Sequence, residues 1–362
     1  MKKIVKTTLF RLIKIYLFPL FLSLKIMPDK LYYFITIIFN MLENVYINKY
    51  VLLFRHIDLI RKPLPVFNFN DVGIVVQGPF FEDNNFTIYM LERYRKIYPF
   101  APIILSTWKN EVSDADKILL KNLKIELIEN KQPKFAKGHL NHQLLSSYQG
   151  MVMLKEKYNC TYALKTRTDQ IFLKPNFIKF LIDLEKCFAP KNVNVLSRLI
   201  FLDLSYKFVP FHLCDFMCFG NVEDLINLYN IECSEVYTEA DQKVIDERVR
   251  ISDFELLDFH DKKIDVDKES IVMANGTVPE MFIVKNYFNK YVEKIDEKNI
   301  LRQYWKFLKE CAIIVNADAL KFYWPKYIFK RYIIEDSSIR EFGDLDFSAW
   351  LSIITEDGEN DA

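Results

Sequence analysis

Two patterns of apolar residues divide the chain. Up to about residue 70, long greasy runs are broken by basic residues, whereas from Asp71 onward short apolar runs bounded by turn residues alternate with segments of helical period. The second pattern begins with Val72 to Gln77, which ends in Gly78 and Pro79 as a buried parallel strand ends at a turn. Ile88, Leu91, Tyr94 and Ile97 then recur at helical spacing until Pro99 stops them, and Pro102 to Ser106 reads as a second strand. Ala115 to Leu120 predicts a short helix and Ile125 to Ile128 a third strand. Leu140 to Tyr158 predicts a long helix, with Leu144, Leu145, Tyr148, Met151 and Val152 on or near its apolar face. A fourth strand, Tyr162 to Thr166, delivers Arg167, Thr168 and Asp169 at its end.

This succession predicts an α/β fold with a mostly parallel sheet flanked by helices. Ligands on such sheets bind beyond the carboxyl ends of the strands, so Gln77-Gly78-Pro79 and Arg167-Thr168-Asp169 are the first candidate site segments. Further on, Phe177 to Phe188 reads as helix, Val193 to Ser197 as strand-like, and Asp215 to Gly220 as a strand running into a helix at Val222 to Tyr229. Ile271 to Pro279 leads to Glu280 at the start of a helix through Phe288, where an acid is favoured by the helix dipole. Residues 291–362 read as a helical C-terminal extension. It carries the aromatic and basic patch Lys321 to Tyr327, read as packing surface, and ends in an acidic tail.

The first 70 residues change the picture in a different way. Lys2, Lys3, Lys6, Arg11, Lys14, Lys25 and Lys30 stand among Phe, Leu and Tyr against the single acid Asp29, and the apolar runs are too short to span a bilayer. Amphipathic helices are expected, lying on an anionic membrane surface or packed on the catalytic domain. A cleaved signal peptide fits poorly, because Arg11 and Lys14 fall within its would-be apolar region.

Composition narrows the function classes. Lys plus Arg (49) nearly cancel Asp plus Glu (48), which removes the charge footprint of a nucleic-acid binder. No GxGxxG or Walker-type loop supports a dinucleotide oxidoreductase or a P-loop kinase. Cysteines 160, 187, 214, 218, 233 and 311 show no disulfide framework and read as reduced thiols. His212, Cys214 and Cys218 form a weak zinc-like cluster that reads better as small buried strand residues.

Taken in order, Val75-Val76-Gln77-Gly78-Pro79, Leu105-Ser106-Thr107-Trp108, Asn141, Gln143, Ser147, Gly150, Leu164 to Asp169, Asp215 with Gly220, and Pro279-Glu280 resemble the WavE-type lipopolysaccharide synthesis family. The resemblance covers about residues 71–290. It implies a GT-A-like domain that moves a sugar from a nucleotide-sugar donor to an oligosaccharide or lipid-linked glycan acceptor, at the cytoplasmic face of the inner membrane.

Under that reading Gly78 permits close backbone approach to the nucleotide, Pro79 directs the loop and Gln77 bonds base or ribose. Thr107 and Trp108 line the same pocket, Trp108 offering a ring face or serving as core. Asn141 and Gln143 reach donor sugar or phosphates, or Asn141 caps its helix. Asp169 is the candidate ligand for Mn or Mg, although the first acidic position of a DxD motif is taken by Arg167; Arg167 and Lys165 could supply positive charge directly. Glu280, then Asp215, are the candidate general bases. Two alternatives stand beside this reading. One is a nucleotidyltransferase that makes nucleotide sugars, and the other is a non-catalytic membrane-associated scaffold.

Overall fold

A computed structural model describes residues 65–81, 85–134, 137–207, 209–232, 246–250, 270–274, 279–324 and 345–355, all in the compact unit Phe54–Ala362. The basic N-terminal helices and the acidic tail expected from the sequence lie outside these residues. Among the described residues no helix is long and apolar enough to cross a membrane.

The chain opens with β1 (Val72–Gln77), α1 (Phe86–Ile97), β2 (Ile103–Trp108), α2 (Asp114–Asn122), β3 (Glu126–Asn130), α3 (Leu140–Tyr158) and β4 (Tyr162–Arg167). After the short β5 (Ile171–Phe172) come α4 (Phe177–Cys187), β6 (Leu199–Leu202), β7 (Cys214–Asn221) and α5 (Val222–Tyr229). A separate antiparallel ribbon of β8 (Asp246–Arg250) and β9 (Ser270–Ala274) precedes α6 (Pro279–Tyr287), α7 (Ile300–Glu310), β10 (Ala312–Val315), β11 (Phe322–Tyr323) and α8 (Phe347–Thr355).

Seven strands form one sheet in the order β10-β6-β7-β4-β1-β2-β3. Only β7 runs against the others, being antiparallel to both β4 and β6. The chain winds outward from β1 through β2 to β3, then returns through α3 to place β4 on the other side of β1. The switch point of this open sheet therefore lies between the carboxyl ends of β1 and β4, the place where ligands bind on sheets of this kind. Strands β1 and β2 are buried along their whole length, as expected of apolar runs covered on both faces.

Helix α3 holds this region by close approach rather than by bulk. Its buried face includes Ser146, Ser147 and Gly150, while Leu145, Tyr148 and Val152, expected on the apolar face, are only partly buried. A Cβ added at Gly150 would stand 2.4 Å from Val75 Cγ1, and one at Gly73 would stand 2.3 Å from Leu154 Cδ2, so helix and strand interlock through two glycines. Gly150→Leu is expected to force α3 off β1 and to lower stability by about 1–3 kcal/mol, read as a lower urea midpoint.

The structure corrects two expectations about element placement. Val193 to Ser197 is a loop with Val193 97% exposed, and the strand lies just beyond it at Leu199–Leu202. The region after residue 290 is not a purely helical appendage, since β10 is the edge strand of the main sheet, parallel to β6. Its apolar run Ala312–Val315 is fully covered, with α8 packed against it and Trp350 completely buried.

Candidate functional site

The ends of β1 and β4 are stitched together at the switch point. Gly78 takes φ +119°, a conformation that side-chain-bearing residues rarely adopt, and a Cβ there would stand 3.3 Å from Thr168 Oγ1. The Gly78 amide donates to the Ser106 carbonyl (3.1 Å), the Thr168 amide to the Gln77 carbonyl (3.1 Å), and Thr168 Oγ1 to the Pro79 carbonyl (2.6 Å). Thr87, on α1, donates its hydroxyl towards the Thr168 carbonyl (3.0 Å), so the helix after β1 also anchors the end of β4.

Several predicted binding residues turn out to build this frame from inside. Gln77 is buried, with Oε1 2.8 Å from Ser146 Oγ. Thr107 is fully buried and donates to Glu111 Oε2 (2.8 Å), which also accepts from the Phe80 amide (2.8 Å). Glu111 thus fixes the loop after β1. Trp108 is 2% exposed and meets His142 edge-on at 4.9 Å, so it offers no open ring face for stacking. Of the two roles expected for Trp108, a ring face for the nucleotide or a core residue, its burial fits the second, because β2 continues through it and α3 covers it. Asn141 does not cap α3, whose N-cap is His139; its amide donates to the Lys134 carbonyl (3.0 Å). Gln143 is buried, and its Oε1 has no hydrogen-bond partner among the described residues.

Arg167 and Asp169 face each other beyond β4 as a two-pronged pair, Arg167 Nε donating to Oδ1 (3.1 Å) and Nη2 to Oδ2 (3.3 Å). Trp324 Nε1 adds a third donor to Asp169 Oδ2 at 3.1 Å. Burial is the largest influence on Arg167 and works against its charge, but the charge and hydrogen bond of Asp169, with Asp215 behind them, together outweigh it and leave the guanidinium more firmly protonated than usual. The Asp169 carboxylate, expected to take a metal, instead receives a guanidinium and an indole. A divalent cation would have to displace the guanidinium or share oxygens already bonded, so Asp169 does not fit as its ligand. Among the described residues no group of three His, Cys, Asp or Glu side chains is placed to hold a metal.

A second cluster forms where β7 and α6 meet β4. Lys165 is fully buried; burial lowers its pKa, and its ammonium donates to the Asp215 carbonyl. Asp215 is 5% exposed, and neither of its carboxylate oxygens has a hydrogen-bond partner among the described residues. Glu280, in the first turn of α6, has a buried Oε2 equally without one. Burial first, and the negative charge of Asp215 second, push the Glu280 carboxyl up to about 7. Gly138, at φ +60°, lets the start of α6 come close, since a Cβ there would lie 2.4 Å from Pro279 Cγ. Beside Asp215, burial holds the His212 imidazole down at about 4, hence neutral at pH 7. Cys214 and Cys218 are buried strand residues of β7.

The structure thus joins the two residues singled out as candidate bases, Asp215 and Glu280, although 65 positions separate them in sequence. It places Lys165 and Arg167 on their side of the sheet, near enough for both to weigh on Glu280. Glu111 and Thr87 were not singled out from the sequence, His212 was read only within a weak zinc-like cluster, and Trp324 only within a packing patch. A strand-end signal was present for Glu111, just after β2, and an aromatic-patch signal for Trp324.

Residues 72–243 match the WavE lipopolysaccharide synthesis family. The WavE match takes in both strand ends of the switch point and Asp215, and stops short of Glu280 and Trp324. No curated protein matches the chain. Among solved structures, a cytidylyltransferase from Leptospira borgpetersenii is 14% identical with a TM-score of 0.30, over 44% of this chain and 64% of that one. A glycosyltransferase involved in glycosylation of the major capsid of PBCV-1 is 9% identical with a TM-score of 0.27, over 46% and 70%. HddC from Yersinia pseudotuberculosis is 12% identical with a TM-score of 0.28, over 45% and 80%.

Proposed function

We propose that this chain is a glycosyltransferase that moves a sugar from a nucleotide-sugar donor to a lipopolysaccharide or capsule-type glycan. The observation that carries the reading is the Asp215–Glu280 pair, a buried and a half-buried acid with unpartnered buried oxygens, the Glu280 carboxyl pushed up to about 7 by burial and by Asp215, beside the end of β4. A carboxyl raised towards neutral pH and bearing an open oxygen is suited to take a proton from an acceptor hydroxyl. In the reaction, Glu280 takes that proton as the hydroxyl oxygen bonds to the anomeric carbon, the bond from that carbon to the diphosphate breaks, and nucleoside diphosphate leaves.

Arg167 lies at the end of β4, beside Gly78, where departing diphosphate charge would be met. With its guanidinium there, the chain supplies positive charge from its own side chains, and no step needs a cation on Asp169. The frame residues Gln77, Thr107 and Thr168 act by holding the strand ends, Gly78 and Pro79 by shaping the loop beside the nucleotide. The match to a lipopolysaccharide synthesis family supports a surface-glycan acceptor, and the basic, apolar first 70 residues support a peripheral position on the cytoplasmic face of the inner membrane.

The test is a mass-spectrometric and thermal-shift screen of the full chain against nucleotide sugars, with and without Mn²⁺. One donor is expected to stabilise the protein and to hydrolyse slowly to nucleoside diphosphate, with little dependence on Mn²⁺. Formation of nucleotide sugar and pyrophosphate from sugar phosphate and nucleoside triphosphate would replace this reading with a nucleotidyltransferase. Absence of any nucleotide binding by folded protein would replace it with a scaffold.

A further inference from the structure

The short strand β11 lies antiparallel to β5, with Phe322 opposite Phe172 and Tyr323 opposite Ile171. That register carries the next residue, Trp324, back to the end of β4, where its Nε1 donates to Asp169 Oδ2 at 3.1 Å. The indole centroid lies 5.3 Å from Arg167 Cζ and 4.2 Å from the Phe216 ring, which meets it at 67°, and Phe216 itself lies 5.7 Å from Arg167 Cζ. The guanidinium is therefore held along one edge by a carboxylate and lies against a pair of aromatic rings that pack on each other. Its N–H groups other than those given to Asp169 have no hydrogen-bond partner among the described residues. Trp324 lies 81 positions beyond the end of the WavE match.

We propose that Trp324 is a positioning residue of the donor site. By bonding Asp169 it fixes the Arg167 guanidinium with its open N–H groups turned to the diphosphate of a nucleotide sugar. The proposal rests on the reading of Arg167 as the diphosphate-binding group. A long arginine side chain loses rotamer freedom when it binds an anion, and a guanidinium already locked by carboxylate and rings has less left to lose. The indole N–H ties the Asp169 carboxylate to β11 and so to β5.

Trp324 also furnishes its own reporter. The protein has four tryptophans, of which Trp108, Trp305 and Trp350 are buried and Trp324 is partly exposed. The full chain is titrated with inorganic pyrophosphate and with ADP, CDP, GDP and UDP, following both heat and tryptophan emission. Expected are an emission change on binding that is absent in Trp324→Phe, and binding about tenfold to hundredfold weaker in that variant at an unchanged melting temperature. Trp324→His, which keeps a ring N–H, is expected to recover part of the affinity. Trp324→Phe binding as tightly as the wild type, while Arg167→Ala does not bind, would overturn the positioning role and leave the donor site standing. Weakening that only follows a lowered melting temperature would overturn it as well. Unchanged binding by Arg167→Ala would remove the donor-site reading and this proposal with it.

Discussion

Glu280→Gln is expected to lower kcat by about 10²–10⁴-fold, the usual worth of a positioned general base, while the protein stays at least as stable as the wild type at pH 8. The two halves of this result have one cause. The folded environment raises the Glu280 carboxyl from its ordinary range to about 7, through burial and then through the charge of Asp215. A carboxyl raised on folding is a site where the native state binds its proton more tightly than the unfolded chain. The native state therefore gains stability as pH falls from about 7 towards the unfolded value, and carries a penalty above 7, where the buried group must ionise. Glutamine keeps the shape and never ionises, so it escapes that penalty as it abolishes proton transfer. Activity runs the other way. Only the ionised form accepts a proton, so wild-type kcat/KM is expected to fall below about pH 7 along a single-proton limb, and Asp215→Asn to move that limb to lower pH by removing the neighbouring charge. A limb unchanged in Asp215→Asn, or full turnover in Glu280→Gln, would remove the pair from the chemistry.

That the two acids were nominated from sequence and then found together shows which signals local pattern carries. The alternation of apolar runs and helical segments from Val72 to Arg167 was legible because β1, β2 and most of β4 are buried apolar runs, and Leu140–Tyr158 was bounded correctly on period alone. Pairing was not legible. Nothing in Cys214–Asn221 says that it inserts antiparallel between β4 and β6, or that Ala312–Val315 closes the far edge beside β6, because strand pairing is set by the fold and not by local pattern. The same limit governs the site. Whether Trp108 offered a ring face or served as core was open while β2 was expected to end at Ser106; two more strand residues put it under α3. Trp324 looked like packing surface because its partner, Asp169, lies 155 residues earlier. Short-range chemistry, such as the glycine turn at Gly78 or the acid at the start of α6, could be read along the chain, whereas the choice of which polar group faces which needed the folded sheet.

Arg167→Lys keeps the positive charge at the end of β4 and is nevertheless expected to lower kcat/KM by about 10²–10³-fold, the cost of losing one preorganised donor to a developing oxyanion. An ammonium cannot bond both oxygens of Asp169 while presenting further N–H groups in a fixed plane, and it packs less well against the Phe216–Trp324 pair than a planar guanidinium does. The lysine would satisfy Asp169 with one donor and leave the diphosphate to a mobile charge. Because the carboxylate still faces a cation, little stability is lost, which separates this variant from Asp169→Asn. There the partly buried guanidinium loses its counter-charge, and a cost of about 3–5 kcal/mol is expected, as for breaking a buried pair from one side. Urea midpoints and donor kinetics on the two variants check the contrast: kinetic loss with intact stability for Arg167→Lys, and loss of both for Asp169→Asn. Equal kinetics for Arg167→Lys and the wild type would mean that any positive charge suffices at the end of β4, and that the aligned guanidinium is not what meets the departing diphosphate.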